Sequence, residues 1–70
     1  MVVILLGNGF EESEALVPAD LLRRAGVEVK LAGVDGMQVT GGHGITVTAD
    51  ISLEEIHPDQ VEMLMLPGGL

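Results

Sequence analysis

Residues 2–6, Val-Val-Ile-Leu-Leu, are apolar without a break. Such a run, with no polar alternation and a glycine behind it, predicts a strand buried on both faces, as in a parallel sheet. Gly7-Asn8-Gly9 then signals a turn, because Gly and Asn tolerate positive φ. Glu11, Glu12 and Glu14 follow where carboxylates would complement the positive end of a helix dipole. Leu16, Val17, Leu21, Leu22 and Ala25 recur at mixed helical spacings and predict one apolar helix face. Pro18 falls inside that stretch, where it removes a backbone donor and crowds the preceding turn, so the expectation is a kinked or two-part helix. Asp20 and Arg24 stand four residues apart as an exposed pair, and Gly26 is placed to stop the helix in the left-handed conformation.

Residues 27–34 alternate and predict a second strand. Residues 35–44 are glycine-rich and loop-like, and residues 39–40 and 45–48 read as short β segments around Gly41-Gly42. Ser52 and Glu55 match a capping box opening a short helix, which His57-Pro58 ends. Residues 61–66 read as another apolar strand, with Met63 and Met65 as core packing, and Pro67-Gly68-Gly69 breaks it. Strands alternating with helices define an α/β chain with a parallel core. About two helices for at least three core strands leave such a sheet underfilled, so the architecture reads as incomplete, as though a C-terminal half were missing.

Composition narrows the function classes. Three basic against eleven acidic residues give a net charge of −8. A phosphate-backbone interface needs clustered cations, so neither nucleic acid nor an anionic membrane surface is an expected partner. With 47% hydrophobic residues and mean hydropathy +0.46 the chain is too apolar for a disordered acidic tail. No apolar stretch approaches a membrane span, and the expected location is the cytoplasm. Cysteine is absent, so the 70 residues carry no disulfide, no thiolate metal site and no cysteine nucleophile. One domain at most fits this length, and a chain so short is marginal for folding alone.

The glycine pair at 7 and 9 after a strand invites a dinucleotide-binding reading. That reading fails, because Glu12 occupies the third glycine position and three carboxylates would oppose a pyrophosphate. No cofactor and no metal is expected. Glu11, Glu12 and Glu14 fall beyond the carboxyl end of the first strand, where ligands bind in open α/β sheets. They either compensate the helix dipole in solvent or include one carboxylate turned into an apolar pocket, where it could relay a proton. Spacing turns Glu14 away from Glu11 and Glu12. Pro67-Gly68-Gly69 either is an ordinary turn or offers free amides to an oxyanion. His43 and His57 have no neighbour at metal-ligand spacing and read as exposed or structural.

Together these residues resemble the amino-terminal part of the ThiJ/PfpI family, which includes a Parkinson-associated deglycase and bacterial intracellular-protease homologues. The resemblance rests on Val-Val-Ile-Leu-Leu, on Gly9-Phe10-Glu11-Glu12-Ser13-Glu14-Ala15, and on Pro18-Ala19-Asp20-Leu21-Leu22-Arg23-Arg24-Ala25-Gly26. Ala49-Asp50-Ile51-Ser52-Leu53 and Leu66-Pro67-Gly68-Gly69 extend it over the whole chain. It implies a flavodoxin-like parallel-sheet sandwich, of which residues 1–70 would be the N-terminal segment of a single domain. It further implies that Glu14 hydrogen-bonds the sulfur of a cysteine on a strand-to-helix elbow, that the Gly69 amide lines an oxyanion hole, and that Asp20 groups with the site. The cysteine and the family's histidine would come from a C-terminal half, on this chain or another, in a protein that is commonly a homodimer. Gly41 stands near where some relatives carry an oxidation-prone cysteine. The implied activity is that of a glyoxalase or deglycase on reactive carbonyls or their adducts, or a protease-like hydrolase. The alternative is a redox-sensing or chaperone-like protein of the same family.

Overall fold

The structure, a computed structural model, describes residues 1–69. In chain order it comprises strand β1 (Val2–Leu6), helix α1 (Glu12–Arg24), β2 (Val29–Gly33), β3 (Gln38–Thr40), β4 (Thr46–Thr48), β5 (Ile51–Ser52) and β6 (Met63–Met65). Two 3-10 turns, Leu53–Glu55 and Pro58–Gln60, lie between β5 and β6. The main sheet has the order β5-β2-β1-β6, and every pairing within it is parallel. The run β2-β1-β6 is the opening of a doubly wound sheet, in which the chain steps to one side of its first strand and then crosses to the other. β3 and β4 form a separate antiparallel hairpin, as the short β segments predict.

β1 is central because it is the most apolar strand: Val3, Ile4 and Leu6 are fully buried. Phe10, Leu31 and Val39 close round them with Ala15 and Ala19 of α1. The buried helix stripe is therefore Glu12, Ala15 and Ala19, with Leu22 partly buried, at spacings of three and four. This corrects the expected apolar face, since Val17 is 53% and Leu21 59% exposed. Small alanines win the inner face because they let the helix axis approach the sheet, while Val17 and Leu21 point the other way.

α1 is one continuous helix through Pro18, not two pieces. Proline there forfeits only the bond to the carbonyl four residues earlier, and the packed Ala15–Ala19 stripe spans the gap. Its end matches expectation. Gly26 has φ +82, its N–H donates to Arg23 O at 3.0 Å, and Val27 N–H donates to Leu22 O at 3.0 Å. These two bonds are those of the left-handed glycine termination. The Arg23 guanidinium ties the helix end to β2 and the next connection, through Val29 O at 2.9 Å and the Asp50 carboxylate at 2.7 Å.

The segment after β4 departs most from expectation. The short helix is a 3-10 turn, with Glu55 Oε1 accepting from Ser52 N–H at 2.9 Å. β6 is an edge strand, and Met63, Leu64 and Leu66 are more than half exposed, so the reading of Met63 as core does not hold.

Candidate functional site

β1 and β6 are parallel neighbours, so their carboxyl ends lie side by side, and the loops leaving them meet. From β1 the chain turns through Gly9, at φ +89, into α1; from β6 it turns through Pro67-Gly68-Gly69, with Gly69 at φ +115. The two turns pair. Phe10 and Gly69 form an antiparallel bridge, and Glu11 N–H donates to Gly68 O at 2.7 Å. The Gly68 N–H in turn donates to Glu14 Oε1 at 2.7 Å. A side chain at 69 would lie 2.8 Å from Glu11 N, and one at 68 would lie 2.7 Å from Glu14 Oε1. Glycine is thus required at 69 by backbone contact and by φ, and a side chain at 68 would displace the Glu14 carboxylate.

Two of the three sequence-selected residues, Glu14 and Gly69, are brought together here. Two polar groups remain free. The Gly69 N–H and the second carboxylate oxygen of Glu14 take no hydrogen-bond partner among the described residues. Asp20, the third, lies on the exposed side of α1, its carboxylate 3.1 Å from Arg24 Nε, and makes no hydrogen bond to Glu14 or the 67–69 turn. That is the pair its four-residue spacing predicts.

The sequence reading named Glu12 and His43 separately and missed the bond that joins them. Glu12 is only 5% exposed, the one buried charged side chain among the described residues. Its Oε2 accepts from His43 N–H at 2.7 Å and Ile45 N–H at 3.2 Å, and its Oε1 faces His43 Nδ1 at 3.0 Å. Burial pushes this carboxyl up, but the bonds from the His43 ring and from the amides of Glu12 itself, His43 and Ile45 outweigh it and hold it down at about 2. An ionised carboxylate only accepts, so Nδ1 carries the proton. The bond to Glu12, then the charges of Glu11 and Glu12, raise the His43 imidazole above its ordinary value. The inward-turned carboxylate is Glu12, and it is ionised by hydrogen bonding rather than kept neutral by an apolar pocket. Its signal was legible in principle: position 12 continues the 15-19-22 stripe by one turn. His43 gave none, because its partner lies 31 residues away.

Glu11, Glu12 and His43 place three donor atoms within 4.8 Å of one another. Both oxygens of Glu12 are already engaged with the hairpin, so the trio is an internal clasp rather than a ligand set. His57 sits at the start of the second 3-10 turn and has no side-chain hydrogen bond among the described residues.

The fold is an open parallel α/β sheet, a class in which ligand sites lie beyond adjacent strand ends. A sequence profile of the DJ-1/PfpI family matches residues 1–70, and the chain belongs to this family. It is 40% identical over 68 residues to a deglycase of Thermococcus kodakarensis, covering 97% of this chain and 41% of the relative. The deglycase PfpI of Pyrococcus furiosus is 37% identical over the same length, with 41% of that protein covered. The structure of oxidised DJ-1 from Toxoplasma gondii superposes with a TM-score of 0.92 at 34% identity, over 99% of this chain and 38% of that one. The chain thus spans about two fifths of the length of the relatives it matches. Among the described residues, no helix is long and apolar enough to cross a membrane.

Proposed function

We propose that the protein carrying this chain is a cysteine-dependent enzyme of the deglycase type, acting on reactive carbonyls or their adducts, to which residues 1–70 contribute an acid–base carboxylate and an oxyanion amide. The observation that supports this reading is the Glu14–Gly68 bond at 2.7 Å, made one residue before Gly69, whose N–H takes no partner among the described residues. The sulfur comes from the part of the domain outside these residues, since the chain has no cysteine. Glu14 accepts the thiol proton, the sulfur adds to the carbonyl carbon, and the carbonyl electron pair moves onto oxygen, where the Gly69 N–H meets it. Returning the proton from Glu14 to that oxygen closes the step. The same arrangement would serve a protease-like hydrolase, and the names of the relatives favour the deglycase.

In the full protein, Glu14→Gln lowers turnover of a small dicarbonyl such as methylglyoxal about 100-fold or more. It also raises the pH at which the cysteine titrates with a thiol reagent. Unchanged turnover and an unchanged thiol titration would remove Glu14 from the mechanism.

One observation favours a second reading, a chaperone-like role. Met63, Leu64, Leu66 and Leu53 are all exposed, in β6 and in the chain on either side of it, and exposed apolar side chains mark surfaces that take a partner. Suppression of client aggregation by a Glu14→Gln protein that no longer consumes dicarbonyl would support that role. A protein that consumes dicarbonyl and leaves aggregation unchanged excludes it.

A further inference from the structure

His43 and Glu12 lie outside the proposed chemistry, yet they hold more long-range bonds than the site itself. The β3–β4 hairpin closes on the β1–α1 turn and the start of α1 at three places. Glu12 takes the His43 and Ile45 amides and the His43 ring. Gly42 N–H donates to Phe10 O at 2.8 Å, and Gly9 N–H donates to Thr40 O at 2.8 Å. Gly41 is glycine because a side chain there would run into the Glu12 carboxylate. The same Phe10 that accepts from Gly42 pairs on its other side with Gly69, and Glu11 holds Gly68. The path from the imidazole to the Glu14–Gly68 bond therefore runs through a single layer of backbone, residues 9–14.

We propose that His43, gripping Glu12, is a positioning residue: its charged form pins the hairpin to the first turn of α1 and so holds the Phe10–Glu14 segment against Gly68 and Gly69. This rests on the reading of Glu14 and Gly69 as the chemical site. The charged groups that face the imidazole are Glu12 at 3.0 Å and Glu11 at 3.8 Å, both at the start of α1. The Gly7–Phe10 turn brings no ionisable side chain, and the imidazole's own loop is otherwise glycine and Ile45. The ring is 72% exposed, so protons reach it freely.

The direction follows from the two shifts. A raised histidine contributes stability in full below its ordinary value of about 6.5 and loses it as pH rises through the folded value. A depressed carboxyl contributes in full above its ordinary value near 4.5 and loses it as pH falls towards about 2. The grip is complete between those two ordinary values and weakens on the alkaline side, where the imidazole becomes neutral.

The test is amide hydrogen exchange on the full protein, read by NMR as protection factors across that range, beside the titration of the His43 ring. Protection at Gly42, His43, Ile45 and Gly68 should fall several-fold as His43 loses its proton. In His43→Gln the low-pH protection should equal the wild type's high-pH value and not vary with pH, and in His43→Lys it should stay at the low-pH level throughout. Overturning results are a His43 that titrates while the Gly68 and Ile45 amides stay unmoved, or a His43→Gln protein with full low-pH protection. Glu14 chemistry fails independently: a Gly68 amide that follows His43 in a protein whose thiol ignores Glu14→Gln would refute the catalytic reading and leave the positioning role standing.

Discussion

Helix α1 has two apolar faces, and they have opposite fates. The stripe Glu12, Ala15, Ala19 and Leu22 lies against the sheet, and its one charged member is wrapped by amides. The stripe Glu14, Val17 and Leu21 carries the larger side chains and stands open, its carboxylate held by one amide. The two glutamates are two residues apart in sequence and about 200° apart round the helix axis. That angle alone puts Glu12 in the core and leaves Glu14 on the open face. A run of carboxylates at a helix start is therefore not one feature but several, sorted by face.

The most damaging way to break this comparison is to enlarge the closed face. Ala15 is fully buried, and Ala15→Leu adds a bulk the sheet cannot yield to. The expected cost is about 1–3 kcal/mol, in the range for overpacked cores. Leu21→Ala on the open face is the informative partner. If the face is open in the full protein, the cost stays under about 1 kcal/mol. If the rest of the domain covers it, the cost rises to about 2–5 kcal/mol. Urea denaturation of both variants, compared at constant m, decides the matter.

A smaller effect on stability, with a large one on chemistry, is expected at the turn that faces Glu14. Gly69→Ala forces a side chain into φ +115 and against the Glu11 N–H. Strained backbone of this kind costs about 1–3 kcal/mol, part of which relaxes by moving the turn. Relaxation separates Gly69 from Phe10 and carries off the free amide. Dicarbonyl turnover should then fall further than Tm alone accounts for. A variant that loses stability but keeps its turnover would show that the amide is not used.

What the chain revealed before the structure, and what it hid, divides along the same line. Features set by neighbours in sequence were legible: the continuous apolar β1, the Gly26 stop with its two bonds, the Asp20–Arg24 spacing and the Ser52–Glu55 capping pair. The parallel order was legible because a strand apolar on both faces belongs in the middle of a parallel sheet. Glu14 and Gly69 were reached through resemblance, and their proximity depends on β1 and β6 being sheet neighbours 61 residues apart in register. The pairing of Glu12 with His43 was missed because it joins a helix start to a hairpin loop with no local pattern to announce it. The burial of β6 was overstated for a related reason: apolar composition says a strand wants cover, not whether these residues provide it.

Asp20 gives the smallest effect and the sharpest separation between resemblance and geometry. Resemblance groups it with the site, whereas the structure puts its carboxylate 3.1 Å from Arg24, with 60% of the side chain exposed. An exposed pair at this helical spacing contributes about 0.2–0.5 kcal/mol, less in high salt, where both charges are screened. Asp20→Asn should therefore shift stability by no more than that, and added salt should erase the difference. Turnover and thiol titration should match the wild type, because no hydrogen bond links Asp20 to Glu14 or to the 67–69 turn. A salt-insensitive loss of turnover would instead mean that the rest of the domain brings a further group to Asp20. The active region would then reach round α1 from Glu14 to Asp20, rather than ending at its first turn.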